Sequence, residues 1–235
     1  MKNIFFDLDG TLLPMDQDKF VKAYFTALAK KLIPLGYEPN TIAESVWKAT
    51  VAMIKNDGEK TNEEVFWKEF SKIYGEKVYS DIPVFENFYE NEFDNLKNFC
   101  GFNPLANKVV KLAKSKNYRL ILATNPVFPP IATQTRARWA GLNPDDFEYI
   151  TTYDNSKFCK PNPKYYNEIL EKLGLKAEET LMVGNDISED MVAKTIGIDV
   201  FLLTDCLINK TNEDISEYPN GNFEDLIEYI KKDSE

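Results

Sequence analysis

The sequence predicts an α/β fold, a doubly wound and mostly parallel sheet with an inserted all-helical domain. Three observations carry that expectation. Five short apolar runs, at 4–6, 120–123, 149–152, 181–183 and 200–203, mostly lack the polar alternation of a sheet with one wet face, so they suit strands covered on both sides. Between them lie stretches of helical length and period, at 105–116, 131–140, 163–173 and 189–196, an alternation that implies right-handed crossovers. The span from about 16 to 100 breaks the rhythm, with no convincing strand and several amphipathic stretches in succession. The expected division is therefore a core of residues 1–15 and 101–235 and a helical domain of residues 16–100.

Within the helical span, Thr41 with Glu44 and Thr61 with Glu64 have the spacing of capping boxes. Each opens an apolar-periodic run, one through Val46, Trp47, Val51 and Ile54, the other through Val65, Phe66, Phe70 and Ile73. The aromatics Trp47, Phe66, Trp67, Phe85, Phe88 and Phe93 read as the buried face of a bundle rather than a cofactor box.

Composition narrows the chemistry. With 43% hydrophobic and 28% charged residues the chain has the balance of an ordinary globular protein, and its longest apolar runs are far too short to cross a bilayer. A net charge of −10 argues against nonspecific attraction to nucleic acid or to an anionic membrane. The N-terminus carries no signal-like apolar core, so a cytoplasmic location is expected. Cys100, Cys159 and Cys206 are odd in number and lack metal-type spacing, which fits reduced structural thiols. Histidine is absent, so Ser-His and Cys-His nucleophile pairs and His-ligated zinc are excluded, leaving carboxylates, Lys, Tyr or Cys for proton transfer.

The first apolar run ends in Asp7-Leu8-Asp9-Gly10-Thr11. In an open parallel sheet the carboxyl ends of strands line the binding crevice, so two carboxylates two residues apart, followed by a turn-permitting Gly, suit a metal and a phosphoryl group. The second run ends in Thr124-Asn125, a hydroxyl and a main-chain N–H suited to phosphoryl oxygens. Lys160 precedes Pro161-Asn162-Pro163 and a Pro-initiated helix, where a point charge could offset a phosphate and nearby carboxylates. The fourth run ends in Gly184-Asn185-Asp186, with Glu189 and Asp190 following. Each element alone is ordinary, as an acidic turn, a strand-end Thr, a surface Lys and a helix cap.

Taken together and in this order, the four elements resemble the motifs of the haloacid dehalogenase superfamily, and the core resemblance covers residues 1–15 and about 101–235. It implies a Rossmann-like core and a type 1 helical cap with hinges near 14–16 and 100–104. The implied function is a Mg²⁺-dependent phosphatase acting on a small phosphomonoester through an aspartyl-phosphate. Asp7 is the implied nucleophile and Asp9 the acid and base, oriented by Thr11 beside Gly10. The main chain of Leu8, together with Thr124, Asn125 and Lys160, is expected to hold phosphoryl oxygens, with Lys160 also orienting Asp7. The implied ligands of Mg²⁺ are the Asp7 carboxylate, the Asp9 carbonyl and Asp186. Asn185 stands where the family commonly has Asp, so Asn185 as ligand with Asp190 behind it is the alternative. The expected partner is a small-molecule substrate, with no nucleic acid or membrane, in a monomer or small homo-oligomer. A phosphomutase or a noncatalytic binding module would share the motifs; the lack of histidine disfavours the first, and the retained acidic pair disfavours the second.

Overall fold

The computed structural model describes residues 1–232. It contains a six-stranded, wholly parallel sheet in the order β3-β2-β1-β4-β5-β6, formed by β1 (Asn3–Phe6), β2 (Arg119–Leu122), β3 (Tyr149–Ile150), β4 (Thr180–Gly184), β5 (Asp199–Leu203) and β6 (Asn220–Gly221). The helices are α1 (Gln17–Leu32), α2 (Ile42–Ile54), α3 (Asn62–Tyr74), α4 (Lys77–Asn91), α5 (Pro104–Ser115), α6 (Pro130–Trp139), α7 (Pro163–Leu173) and α8 (Phe223–Lys232). Those from α1 to α4 all fall between β1 and β2, with no strand among them.

The sheet is covered on both faces. Ile4, Phe6, Leu120, Leu122, Leu181 and Val183 point one way, into a cluster shared with Val109 of α5, Ile227 of α8 and the residue 17–91 helices. Phe5, Ile121, Met182 and Val200 point the other way, onto Tyr165, Tyr166 and Ile169 of α7. Alternate residues of each strand thus enter opposite apolar layers, which is why these runs show no polar period. Strand order reverses between β1 and its neighbours, because the chain runs outward through β2 and β3 and then returns to the other side as β4. The crevice at the carboxyl ends of β1 and β4 is the topological switch point, where open α/β sheets bind ligands.

Several expectations need correction. Six strands form rather than five: Asn220–Gly221 has no strand propensity, but it pairs with the edge of β5 at Leu202 and Leu203. The run at 149–152 contributes only Tyr149–Ile150 to the sheet. The stretch at 189–196 is not an α-helix; it shrinks to a 3-10 turn, Met191–Ile196, closed by Gly197 at φ +87°. Thr61 and Glu64 make a complete capping box. Thr41 does not, since its side chain bonds no helix N–H and turns instead toward the Glu38 carbonyl and the Tyr74 hydroxyl. Trp47, expected in the bundle core, is 51% exposed, whereas Phe66, Trp67, Phe85, Phe88 and Phe93 are buried.

Candidate active site

Asp7 follows directly on β1, its main-chain N–H bonded to the Val183 carbonyl, so its carboxylate emerges at the switch point. One oxygen, Oδ1, accepts from Lys160 Nζ at 2.9 Å; the other, Oδ2, accepts from Thr11 Oγ1 at 2.9 Å. Lys160 is 1% exposed and also donates to Asp190 Oδ1 at 2.7 Å, while Asp190 Oδ2 accepts the Asp186 N–H at 3.0 Å. One buried ammonium thus ties the end of β1 to the turn after β4. Burial alone would lower the Lys160 pKa, but the facing Asp190 and Asp7 carboxylates outweigh it and push it well above the ordinary value, so the lysine stays charged.

Two glycines make room for this packing. Gly10 sits at φ +88°, and a Cβ there would collide with the Asn185 amide; a Cβ on Gly184 would collide with the Asp190 carboxylate. Asn185 accepts from Thr11 Oγ1 at 2.9 Å and donates to the Cys206 carbonyl at 2.7 Å. Asp186 Oδ1 accepts the Ser188 and Glu189 N–H groups at 2.8 and 3.0 Å, an Asx-type turn that fixes the loop after β4. Beyond β2, the Thr124 carbonyl is held by the Thr151 and Tyr165 hydroxyls at 2.6 and 2.9 Å, and Asn125 Nδ2 donates to Glu189 Oε2 at 3.1 Å. Burial pushes the Glu189 carboxyl up to about 7, against the opposing pull of Lys160.

Thr11 does not orient Asp9. Its hydroxyl lies between Asp7 and Asn185, and Asp9 is gripped by a residue the sequence reading overlooked. Arg136 Nη1 donates to Asp9 Oδ2 at 2.5 Å, from a side chain only 1% exposed whose guanidinium lies 4.2 Å from the centre of the Phe128 ring. Burial raises the Asp9 pKa; Arg136 opposes that rise and Asp7 adds to it. The other oxygen, Asp9 Oδ1, is buried without a hydrogen-bond partner, as is Asn125 Oδ1. Asp7, Asp9, Thr124, Asn125, Asn185 and Asp186 all line one cavity of about 190 Å³, together with Arg136, Glu189 and Asp190.

A family model for haloacid dehalogenase-like hydrolases matches residues 1–196. The chain belongs to the haloacid dehalogenase-like hydrolases. Among relatives of this hydrolase is a glyceraldehyde 3-phosphate phosphatase of Methanothermobacter thermautotrophicus, 29% identical over 198 residues, with 83% of this chain and 81% of that one covered. A second, from Methanocaldococcus jannaschii, is 24% identical and covers 98% and 97% of the two chains. A HAD phosphatase from Thermococcus onnurineus shares the fold with a TM-score of 0.61 at 20% identity, covering 98% of each chain. The HAD-hydrolase YfnB from Bacillus subtilis, solved bound to magnesium, has a TM-score of 0.53 at 18% identity and covers 97% and 98%. Family and relatives together make this hydrolase an enzyme of the phosphatase branch.

The oxygen-only donors suit a hard cation. Among the described residues no three Asp, Glu, Cys or His side chains form a ready metal cage, so an ion here would draw on main-chain or amide oxygen and water as well as carboxylates. Two further residues of this hydrolase had no readable signal. Arg136 lies 127 positions from Asp9 on an amphipathically weak helix. Asn62, wholly buried at the start of α3, donates to the Pro126 carbonyl at 3.1 Å and to Cys159 Sγ at 3.3 Å, pinning the helical segment to the loops bearing Asn125 and Lys160.

Arg136→Met has an expected outcome with a defined sign. Because Arg136 lowers the Asp9 pKa, its loss raises it, and the protonated form of Asp9 persists to higher pH. The alkaline limb of the kcat/KM profile should move upward, while kcat/KM at neutral pH drops by roughly 10²-fold as Asp9 loses its anchor. A pH-rate profile showing an unmoved limb contradicts this role.

Proposed function

We propose that this hydrolase is a Mg²⁺-dependent phosphatase for a small phosphorylated metabolite, working through a phosphorylated Asp7. The observation that carries the reading is the pairing of two unlike carboxyls. Asp7 is held between Thr11 and Lys160 with ionic support, while Asp9 is half-buried, with one oxygen paired to Arg136, the other unpartnered, and its pKa raised. Carboxyls whose environments differ in this way suit nucleophile and acid.

In the first half-reaction an Asp7 oxygen attacks phosphorus in line, the ester P–O bond breaks, and its electron pair stays on the leaving oxygen, which takes a proton from Asp9. In the second, water attacks the phosphorus of the aspartyl-phosphate and gives its proton to Asp9. The bond to Asp7 breaks, and inorganic phosphate departs. Thr124 and the main-chain N–H groups of Leu8 and Asn125 would bind phosphoryl oxygens, and Lys160 would offset charge on Asp7. The carboxylates of Asp7 and Asp186 and the Asp9 carbonyl would hold Mg²⁺, with Asn185 and Asp190 behind them. When bound, the ion neutralises charge on the phosphoryl oxygens.

Residues 16–100 act in this reading as a cap over the core of residues 1–15 and 101–235. The two connections run side by side, with the Gly101 N–H bonded to the Pro14 carbonyl at 2.7 Å and a bridge between Met15 and Cys100, so one short double crossing would serve as the hinge. Phosphate release from p-nitrophenyl phosphate tests the reading. It should require added Mg²⁺, stop with excess chelator and lose its metal response in Asp186→Ala; metal-independent turnover would refute the assignment.

A further inference from the structure

A second and larger cavity, about 600 Å³, opens beside the catalytic one. The two share Val21, Trp47, Thr50, Val127 and Phe128, so these residues form a common neck between the carboxylates and the larger space. Beyond the neck the walls are mostly apolar and aromatic, with Tyr24, Phe66, Trp67, Phe85, Tyr89 and Tyr153 among them. The charged residues in the lining are Glu63, Glu86, Glu90 and Asp154; among the described residues no Lys or Arg lines it. In the catalytic cavity the one lining cation among the described residues is Arg136, already paired with Asp9.

Size and charge both bear on what leaves with the ester oxygen. A two- or three-carbon leaving group would occupy a small part of a space in the range that holds drug-sized ligands, and it would leave the aromatic walls wet, without the remote contacts that drive closure. A carboxylate or second phosphate entering past the neck would find no counter-ion there, with half-buried Glu63 in the lining and the exposed Glu86, Glu90 and Asp154 around it adding repulsion. An apolar group gains from burial at the walls, and an amine is welcomed by the rim.

Resting on the phosphatase reading, we propose that the substrate is the phosphate ester of a bulky, apolar or aromatic alcohol that carries no negative charge. The leaving group passes the Trp47–Phe128 neck and lodges in the aromatic cavity. This differs from the glyceraldehyde 3-phosphate, phosphoglycolate and pyrophosphate named for relatives.

The test is a panel of para-substituted benzyl phosphates, whose leaving oxygens are similar, bearing methyl, aminomethyl or carboxylate, run beside phosphoglycolate, glyceraldehyde 3-phosphate and acetyl phosphate. The methyl and aminomethyl esters should each exceed the carboxylate ester and both small esters, phosphoglycolate and glyceraldehyde 3-phosphate, by at least about tenfold in kcat/KM. Glu63→Gln combined with Glu86→Gln should narrow the ratio of aminomethyl to carboxylate ester. Equal or better turnover of the anionic or small esters overturns the proposal, as does an unchanged ratio in the double variant. Acetyl phosphate separates the two levels of inference, because it needs no large leaving-group site. If it is hydrolysed without the size and charge preference, only the cavity assignment fails; a wild type inert on every member of the panel overturns the phosphatase reading and the cavity assignment with it.

Discussion

Asp7→Asn should lower kcat by at least about 10⁴-fold while leaving the fold intact. The amide keeps the volume of the carboxyl, can still accept from Lys160 and can turn its NH₂ toward the Thr11 hydroxyl, so the packing at the end of β1 need not change. On the proposed mechanism, what disappears is the anionic oxygen that would attack phosphorus, and with it the covalent intermediate. Steady-state phosphate release, acid-quenched labelling of the protein and a thermal melt distinguish the possibilities. Loss of turnover and of label with an unchanged melt supports the nucleophile assignment, whereas label retained by the Asp7→Asn variant rejects it.

Lys160→Met is the second large effect, and it falls on stability as well as rate. The ammonium is the shared partner of Asp7 and Asp190, and it is buried as deeply as either. Methionine fills a similar volume but leaves two carboxylates facing each other in the interior without a cation. Removing one partner from a buried ion pair typically costs about 3–5 kcal/mol, which for a chain of this size lowers Tm on the order of 10 °C. The sign with pH follows from proton linkage. In the variant the buried carboxyls take up protons more readily folded than unfolded, so stability should recover as pH falls and worsen as it rises. Melting curves of wild type and variant in the metal-free state at pH 5 and pH 8 check this. A deficit that is equal at both pH values would show that Lys160 contributes packing rather than charge.

The motif residues were legible because their meeting requires only that the runs around them become neighbouring parallel strands. Asp7, Thr124 and Asn185 each lie just beyond a strand end, and β1 sits between β2 and β4, so placing the strands places the residues. Lys160 was legible more indirectly, as a charge ahead of a Pro-initiated helix; the structure adds that it bridges Asp7 and Asp190. The capping box at Thr61 was readable for the same reason of locality, and the failed one at Thr41 shows the limit. Its spacing is right, but the Tyr74 hydroxyl of α3 competes for the side chain and only packing of α2 on α3 reveals it.

Arg136, Asn62 and the aromatic cavity belong to the other class. Arg136 reads as one of two arginines on a polar helix until α6 is laid beside the β1 turn, and Trp47 reads as core until the helices leave it at the mouth of the site. The sequence by itself determined the α/β alternation, the helical span between the first two motifs and the strand-end carboxylates, because each depends on local period or spacing. Tertiary structure alone decided which cation holds Asp9, which groups Thr11 bridges and how large a cavity opens beyond the neck. Those depend on side chains brought together from distant parts of the chain, and no local pattern encodes such a meeting.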